Sequence, residues 1–152
     1  MMTRSSETTS RIMGAVRNRD TGPELALRRA IHARGLRFRL RSNLMGKPDI
    51  AFGRARVVVF VDGDYWHGNV WRTRGFESFE AYYGRGDNGS FWLAKINRNV
   101  TRDLDVTQTL TGAGWTVLRV WESDLTHDLD QVADMVAATV RGDATALSGA
   151  AA

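Results

Sequence analysis

Two carboxylates and a histidine carry the most reactive potential in this chain: Asp49, Asp62 and His67. Asp49 follows Pro48 and opens one apolar run, and Asp62 closes the next. If the two runs pair as a hairpin, the start of one lies beside the end of the other. Asp49 and Asp62 then converge at one sheet edge. Like charges held together repel, and a hard divalent cation such as Mg²⁺ is the natural reason to hold them there. The plainer alternative is that Pro-Asp opens a strand and Asp-Gly makes a turn. The run Asp62-Gly-Asp-Tyr-Trp-His67 favours chemistry, because it packs two carboxylates, two large aromatics and a histidine behind an apolar strand. An imidazole takes a proton from water near neutral pH, which suits His67 to a base's work. Tyr65 and Trp66 suit a core, as most aromatics do, or stacking on bases.

The elements that must position these residues are legible in outline. Ser10 to Arg19 has the spacing of a helix. Thr21-Gly-Pro-Glu24 reads as a capping box opening a second helix, with Leu27, Ala30 and Ile31 at helical spacing and Gly35 as its stop. Arg37 to Arg41 alternates as a half-buried strand does. Pro48 to Phe52 and Arg56 to Asp62 read as two strands joined by the tight turn Gly53 to Ala55. The second is apolar on both faces, as a covered central strand is. Residues 72–90 are rich in Gly, Arg, Ser and Asp and read as an exposed loop. A long helix is expected over Phe91 to Leu110, capped by Ser90. Leu93, Ile96, Val100 and Leu104 form its apolar stripe, with Lys95, Asn99 and Arg102 on another face. Trp115 to Trp121 reads as a strand and Leu129 to Val140 as a last amphipathic helix. This order predicts an α/β fold, a mixed sheet flanked by helices.

Composition narrows the partners. A length of 152 residues with 43% hydrophobic and 25% charged residues fits one globular domain with a real core. The absence of cysteine excludes disulfides, thiolate zinc sites and iron–sulfur clusters. Nineteen Arg against two Lys, with net charge +4, point towards phosphate recognition, although a GC-rich genome yields the same bias. The distribution separates the two readings. Residues 1–41 hold ten Arg and three acids, whereas residues 122–152 hold one Arg and six acids. Codon bias does not polarise charge, so the basic first third is a candidate phosphate-facing surface. No apolar run approaches the ~20 residues that span a bilayer, so a soluble, cytoplasmic protein is expected.

Several motifs, collinear over residues 3–125, resemble those of the very short patch repair (Vsr) DNA endonucleases. They are Gly46-Lys-Pro-Asp-Ile50, Val59-Phe-Val-Asp-Gly-Asp-Tyr-Trp-His67, Phe91-Trp-Leu-Ala-Lys-Ile-Asn-Arg-Asn-Val-Thr-Arg-Asp103 and Gly114-Trp-Thr-Val-Leu-Arg-Val-Trp-Glu122. Ser10 to Val16, and Arg19-Asp-Thr21 with Glu24, fit as well. The resemblance implies a PD-(D/E)xK nuclease core, a restriction-endonuclease-like three-layer α/β/α sandwich with a mixed central sheet. Residues 1–142 would form one nuclease domain with an N-terminal helical arm, and residues 143–152 a disordered tail. The implied activity is Mg²⁺-dependent nicking of one strand of double-stranded DNA beside a T·G mismatch, by a monomer.

Carried onto this chain, the resemblance makes Asp49 the metal-bridging carboxylate, with Val61 contributing its main-chain carbonyl. His67 would be the base for the attacking water and Glu24 a supporting carboxylate, in competition with its capping-box reading. Tyr65, Trp66 and Trp92 stand at positions that wedge into the base stack. Met13 belongs to the N-terminal helix that approaches from the other groove, and Lys95 and Asn99 to positions that read the mismatch region. A solvated helix face is the plainer alternative for those two.

The departures matter too. Well-known members hold a structural zinc, and the positions of its ligands are Asp64, Asn69, Trp71 and Ser123 here. No zinc is expected, and other packing, with Trp71 the first choice, must hold that loop. A position that is usually histidine in those members is Asp62 here, a further possible metal ligand. The Lys expected two residues later is Asp64, so His67 must serve in its place. An insertion between Trp71 and Phe91 enlarges the loop nearest the DNA. Two rival readings follow: a restriction or defence nuclease of the same chemistry without mismatch specificity, and a non-catalytic DNA-binding module.

Overall fold

The structure, a computed structural model, describes residues 21–40 and 43–142. The helix expected over Ser10 to Arg19, with Met13, and the tail 143–152 lie outside the described residues. Helix α1 (Gly22–Ala33) starts at the expected cap: the Thr21 hydroxyl accepts from the Glu24 N–H at 3.4 Å, and Pro23 occupies the first turn. Gly35, at φ +83°, takes the chain out of the helix.

The sheet has three strands among the described residues, in the order β1 (Ile50–Phe52), β2 (Val57–Asp62), β3 (Thr116–Trp121). β1 and β2 form the predicted antiparallel hairpin, with Ile50 opposite Val59 and Phe52 opposite Val57. β3 lies parallel to β2, with Asp62 opposite Trp121, so the sheet is mixed. A parallel neighbour demands a crossover, and this chain supplies one through the helices between Asp62 and Thr116. β2 is central and buried on both faces apart from Val61. One face of the sheet packs on Leu27 and Ile31 of α1 and on the last helix, α6 (Leu129–Arg141). The other packs Ala51, Val58 and Phe60 against Val106 and Leu110 of the long helix α4 (Gly89–Gly112). Helices therefore cover both faces, in an α/β fold.

Four local expectations change. Residues 37–40 do not form a strand, since Arg39 alone bridges Ala51 of the three-residue β1, and Arg41 lies outside the described residues. Residues 72–90 are no featureless loop. Two short helices, α2 (Val70–Thr73) and α3 (Phe79–Tyr83), fold there, and Tyr82 and Tyr83 are buried. The Ser78 hydroxyl caps α3 by accepting from the Ala81 N–H at 3.0 Å. Ser90 does not cap α4, where Asn88 holds the cap position. The apolar stripe of α4 is also displaced: Ile96, Val106 and Leu110 are buried, while Val100 and Leu104 are 39% and 55% exposed. A further short helix, α5 (Glu122–His127), connects β3 to α6.

Candidate active site

The β1–β2 hairpin with its flanking turns, β3 and α4 bring the chemistry to one cleft of about 570 Å³, lined by Lys47, Asp49, Asp62, His67, Asp103 and Arg119. The hairpin register decides the first half of it. The Val61 N–H donates to Asp49 Oδ2 at 2.7 Å, and the Asp49 N–H donates to the Val59 carbonyl at 3.0 Å. In a strand the N–H and C=O of one residue point to the same side, so the Val61 carbonyl also faces the edge where Asp49 sits. Gly46 makes this possible. Its φ of +76° turns the chain towards β1, and a Cβ there would lie 2.5 Å from Val106 Cγ1.

Glu24 reaches the same point from the first turn of α1. Its carboxylate is 3% exposed as a residue, pairs with Arg28 at 3.1 Å and hydrogen-bonds to Asp49. Thr21 caps the helix through its hydroxyl while the Glu24 side chain serves the cleft. Burial raises the Asp49 carboxyl to about 7, with the Glu24 hydrogen bond adding to it and the Val61 N–H opposing. A carboxyl raised in this way gives up its proton when a cation arrives.

The second half is built by β2, the following turn and α4. Asp62, 5% exposed, accepts from Arg119 Nη1 through both oxygens at 3.1 Å. Arg119 is itself fixed, with Nε on Thr107 Oγ1 at 2.7 Å, Nη2 on the Asp103 carbonyl at 3.2 Å and its guanidinium over Phe60. His67 Nδ1 bonds to Asp103 Oδ2 and lies 3.7 Å from Asp62 Oδ1. With Nδ1–H held by Asp103, Nε2 keeps the lone pair and is the atom free to take a proton. Burial alone would lower the His67 pKa; the Asp103 hydrogen bond and the charges of Asp62 and Asp103 outweigh it, and the net shift is upward. Burial raises Asp62 as well, against His67 and Arg119. Atoms of Asp62, His67 and Asp103 lie within 4.8 Å of one another, close enough to share a cation.

Asp49 and Asp62 thus line one cleft but keep separate partners, Glu24 for one and Arg119 for the other. Asp103 is the residue of this cleft that sequence reasoning passed over. Its signal was its place one helical turn beyond Asn99, on the face of α4 that meets the His67 turn. Asn99 itself donates through Nδ2 to the Trp66 carbonyl at 3.0 Å and accepts from Arg102 at 2.7 Å. Lys95 lies 5.8 Å from the Trp66 ring centre. Both residues brace the aromatic turn. Tyr65, Trp66 and Trp92 come together, with ring centres 5.0 to 5.9 Å apart.

The loop at positions 64 to 71 is tied mainly by polar bonds, and less by Trp71 than its size suggests. Asp64 Oδ1 accepts from Asn69 Nδ2 at 2.7 Å and from the Ser123 hydroxyl at 2.6 Å; Oδ2 accepts from the Ser123 N–H at 3.0 Å. Trp71 is half-buried at the edge of the Tyr82–Tyr83–Ile96 cluster, under Arg72.

The chain is similar to known DNA endonucleases. The family model described as "DNA mismatch endonuclease Vsr" matches residues 3–73. The chain is 42% identical to the type II nicking enzyme V.NmeDIP of Neisseria meningitidis serogroup C over 136 residues, 89% of this chain and 87% of that one. It is 41% identical to the type II nicking enzyme V.NaeI of Lentzea aerocolonigenes, over 86% of this chain and 74% of that one. It is 35% identical to the DNA mismatch endonuclease Vsr of Escherichia coli strain K12, over 78% and 71% of the two chains. No helix of the described residues is long and apolar enough to cross a membrane. With a restriction-endonuclease-like α/β fold and these relatives, the chain belongs to the Vsr family of DNA endonucleases.

Proposed function

We propose that this chain, acting as a cytoplasmic monomer through one nuclease domain over residues 1–142, nicks one strand of double-stranded DNA beside a T·G mismatch in a Mg²⁺-dependent reaction. The observation that carries the reading is the single cleft flanked by the Asp49–Val61 edge on one side and the His67–Asp103 pair on the other. The donors on the Asp49 side are hard oxygens, as Mg²⁺ requires. Asp49 and the Val61 carbonyl would hold the ion. Asp62 is the weaker ligand, because Arg119 already neutralises it. When bound, Mg²⁺ polarises the phosphate and makes water more acidic. Glu24 supports Asp49. His67 Nε2 takes the proton of the attacking water, and Asp103 stabilises the imidazolium that forms. Tyr65, Trp66 and Trp92 wedge into the stack beside the scissile bond, with Lys95 and Asn99 holding the turn that carries them. Met13 contributes from the opposite groove.

A second reading keeps the chemistry and drops the mismatch: a restriction-associated or defence nickase. The names of V.NmeDIP and V.NaeI, both type II nicking enzymes, favour it. One assay separates the two. Matched, T·G-mismatched and cytosine-methylated duplexes of identical sequence are incubated with the protein and Mg²⁺. Nicking confined to the mismatch supports repair, and equal nicking of all three overturns it. No cleavage with any divalent metal leaves the DNA-binding module. Asp49→Ala abolishes nicking and leaves DNA binding in place; surviving activity would refute the site. Metal analysis of the purified protein is expected to find no stoichiometric zinc.

A further inference from the structure

The segment that enlarges the loop before α4 builds a recess of about 290 Å³ next to the aromatic cluster, walled by Tyr65, Tyr82 and Trp92 and rimmed by Arg85, Asp87 and Asn88. We propose that this recess receives a single nucleobase displaced from the DNA stack, a base-binding site separate from the cleavage centre. Its size is at the lower end of small-molecule sites, right for one base and too small for a pair. Three polar groups are available to a base edge. The hydroxyls of Tyr65 and Tyr82 make no hydrogen bond to a described residue, and the Asn88 side chain stands at the helix cap without making a capping bond. The aromatic walls offer stacking, which every base accepts.

Charge argues against a phosphate as the occupant. The one cation at the rim, Arg85, is laid over the Tyr82 and Phe76 rings, 4.2 and 4.9 Å from their centres, and its Nε donates to the Tyr82 carbonyl at 2.9 Å. Asp87 stands beside it and repels an anion. The same carboxylate accepts readily from an amino or imino group on a base.

The inference deepens the wedge reading, since Tyr65 and Trp92 belong to both, and the test keeps them apart. Duplexes carrying a single-nucleotide bulge present an unstacked base without the wedge's help. Binding is measured for such duplexes and for the same duplexes with an abasic analogue in the bulge. The wild-type protein is expected to prefer the base-bearing bulge by about tenfold or more, from stacking and from hydrogen bonds to the base edge. Tyr82→Phe combined with Asn88→Ala keeps the stacking rings and removes two edge partners, so it should reduce that preference severalfold while leaving the thermal midpoint unchanged, because neither group bonds within the described fold. Equal binding of the two bulges by the wild type overturns the proposal, as does a preference undiminished in the double variant. Trp66→Ala removes a wedge ring that does not itself line the recess. If it leaves both affinities unchanged while the base preference persists, the wedge reading falls and the recess stands.

Discussion

At the scale of single residues, the cleft stores protons where a bound cation needs bare oxygens. Asp49 lies near 7 because it is buried and shares a hydrogen bond with Glu24. A carboxyl raised from 3.8 stabilises the folded state fully below 3.8, and that contribution is lost as pH rises to about 7. The metal-free protein should therefore lose stability between about pH 4 and about pH 7, and Asp49→Asn should flatten that fall. Thermal midpoints in EDTA at the two pH values check this; equal slopes for wild type and variant would show that the Asp49 proton is not held. His67 obeys the opposite requirement, since it must be neutral to accept a proton. Its raised pKa predicts that the nicking rate climbs with pH through a midpoint above the ordinary value of 6.5. His67→Ala should cost roughly 10²- to 10⁴-fold in kcat, and Asp103→Asn less. Loss of that pH midpoint in Asp103→Asn, with substrate binding unchanged, would tie the two residues together.

At the scale of elements, two short connections decide whether the site exists. The turn before β1 needs Gly46 for its left-handed φ and for the close approach of Val106 on α4. Gly46→Ala should cost about 2–4 kcal/mol, combining strain at positive φ with overpacking, and should lower activity further by moving Asp49. The Asp64 knot closes the other connection. Asp64→Ala leaves the buried Asn69 amide and the Ser123 N–H without their acceptor, at a cost of roughly 2–4 kcal/mol in urea unfolding. The hairpin, β3, α1 and α6 were readable from the sequence because their apolar periods and their caps agree. So were Asp49 and His67, which stand where those elements end. The resemblance grouped Asp64, Asn69 and Ser123 at one place, but the bonds of the knot were not readable, since a carboxylate, an amide and a hydroxyl show no period. The helices within residues 72–90 were hidden for a related reason: they are four and five residues long, too short to display a helical repeat. The α4 stripe misled because Val100 and Leu104 have the right spacing for a core that lies on the neighbouring face.

At the scale of the molecule, the polarised charge does two jobs. Part of the basic first third is consumed internally, where Arg34 Nε meets Asp134 at 2.9 Å and Nη2 meets Asp130 at 3.2 Å. Arg141 also donates to the Arg34 carbonyl at 2.7 Å, so α1 is fastened to α6 along its end. Arg28 is likewise engaged, with Glu24 at 3.1 Å. Residues 1–20 alone carry four Arg and two acids. Removing them should weaken DNA binding and flatten its salt dependence by up to roughly 0.9 in the log–log slope per arginine lost. A slope unchanged by the truncation would place the phosphate grip elsewhere. The knot at Asp64 has a separate consequence at this scale. A clasp made from a carboxylate, an amide and a hydroxyl closes as soon as the chain collapses, with nothing to be delivered. This connection is therefore completed by groups that the chain itself supplies.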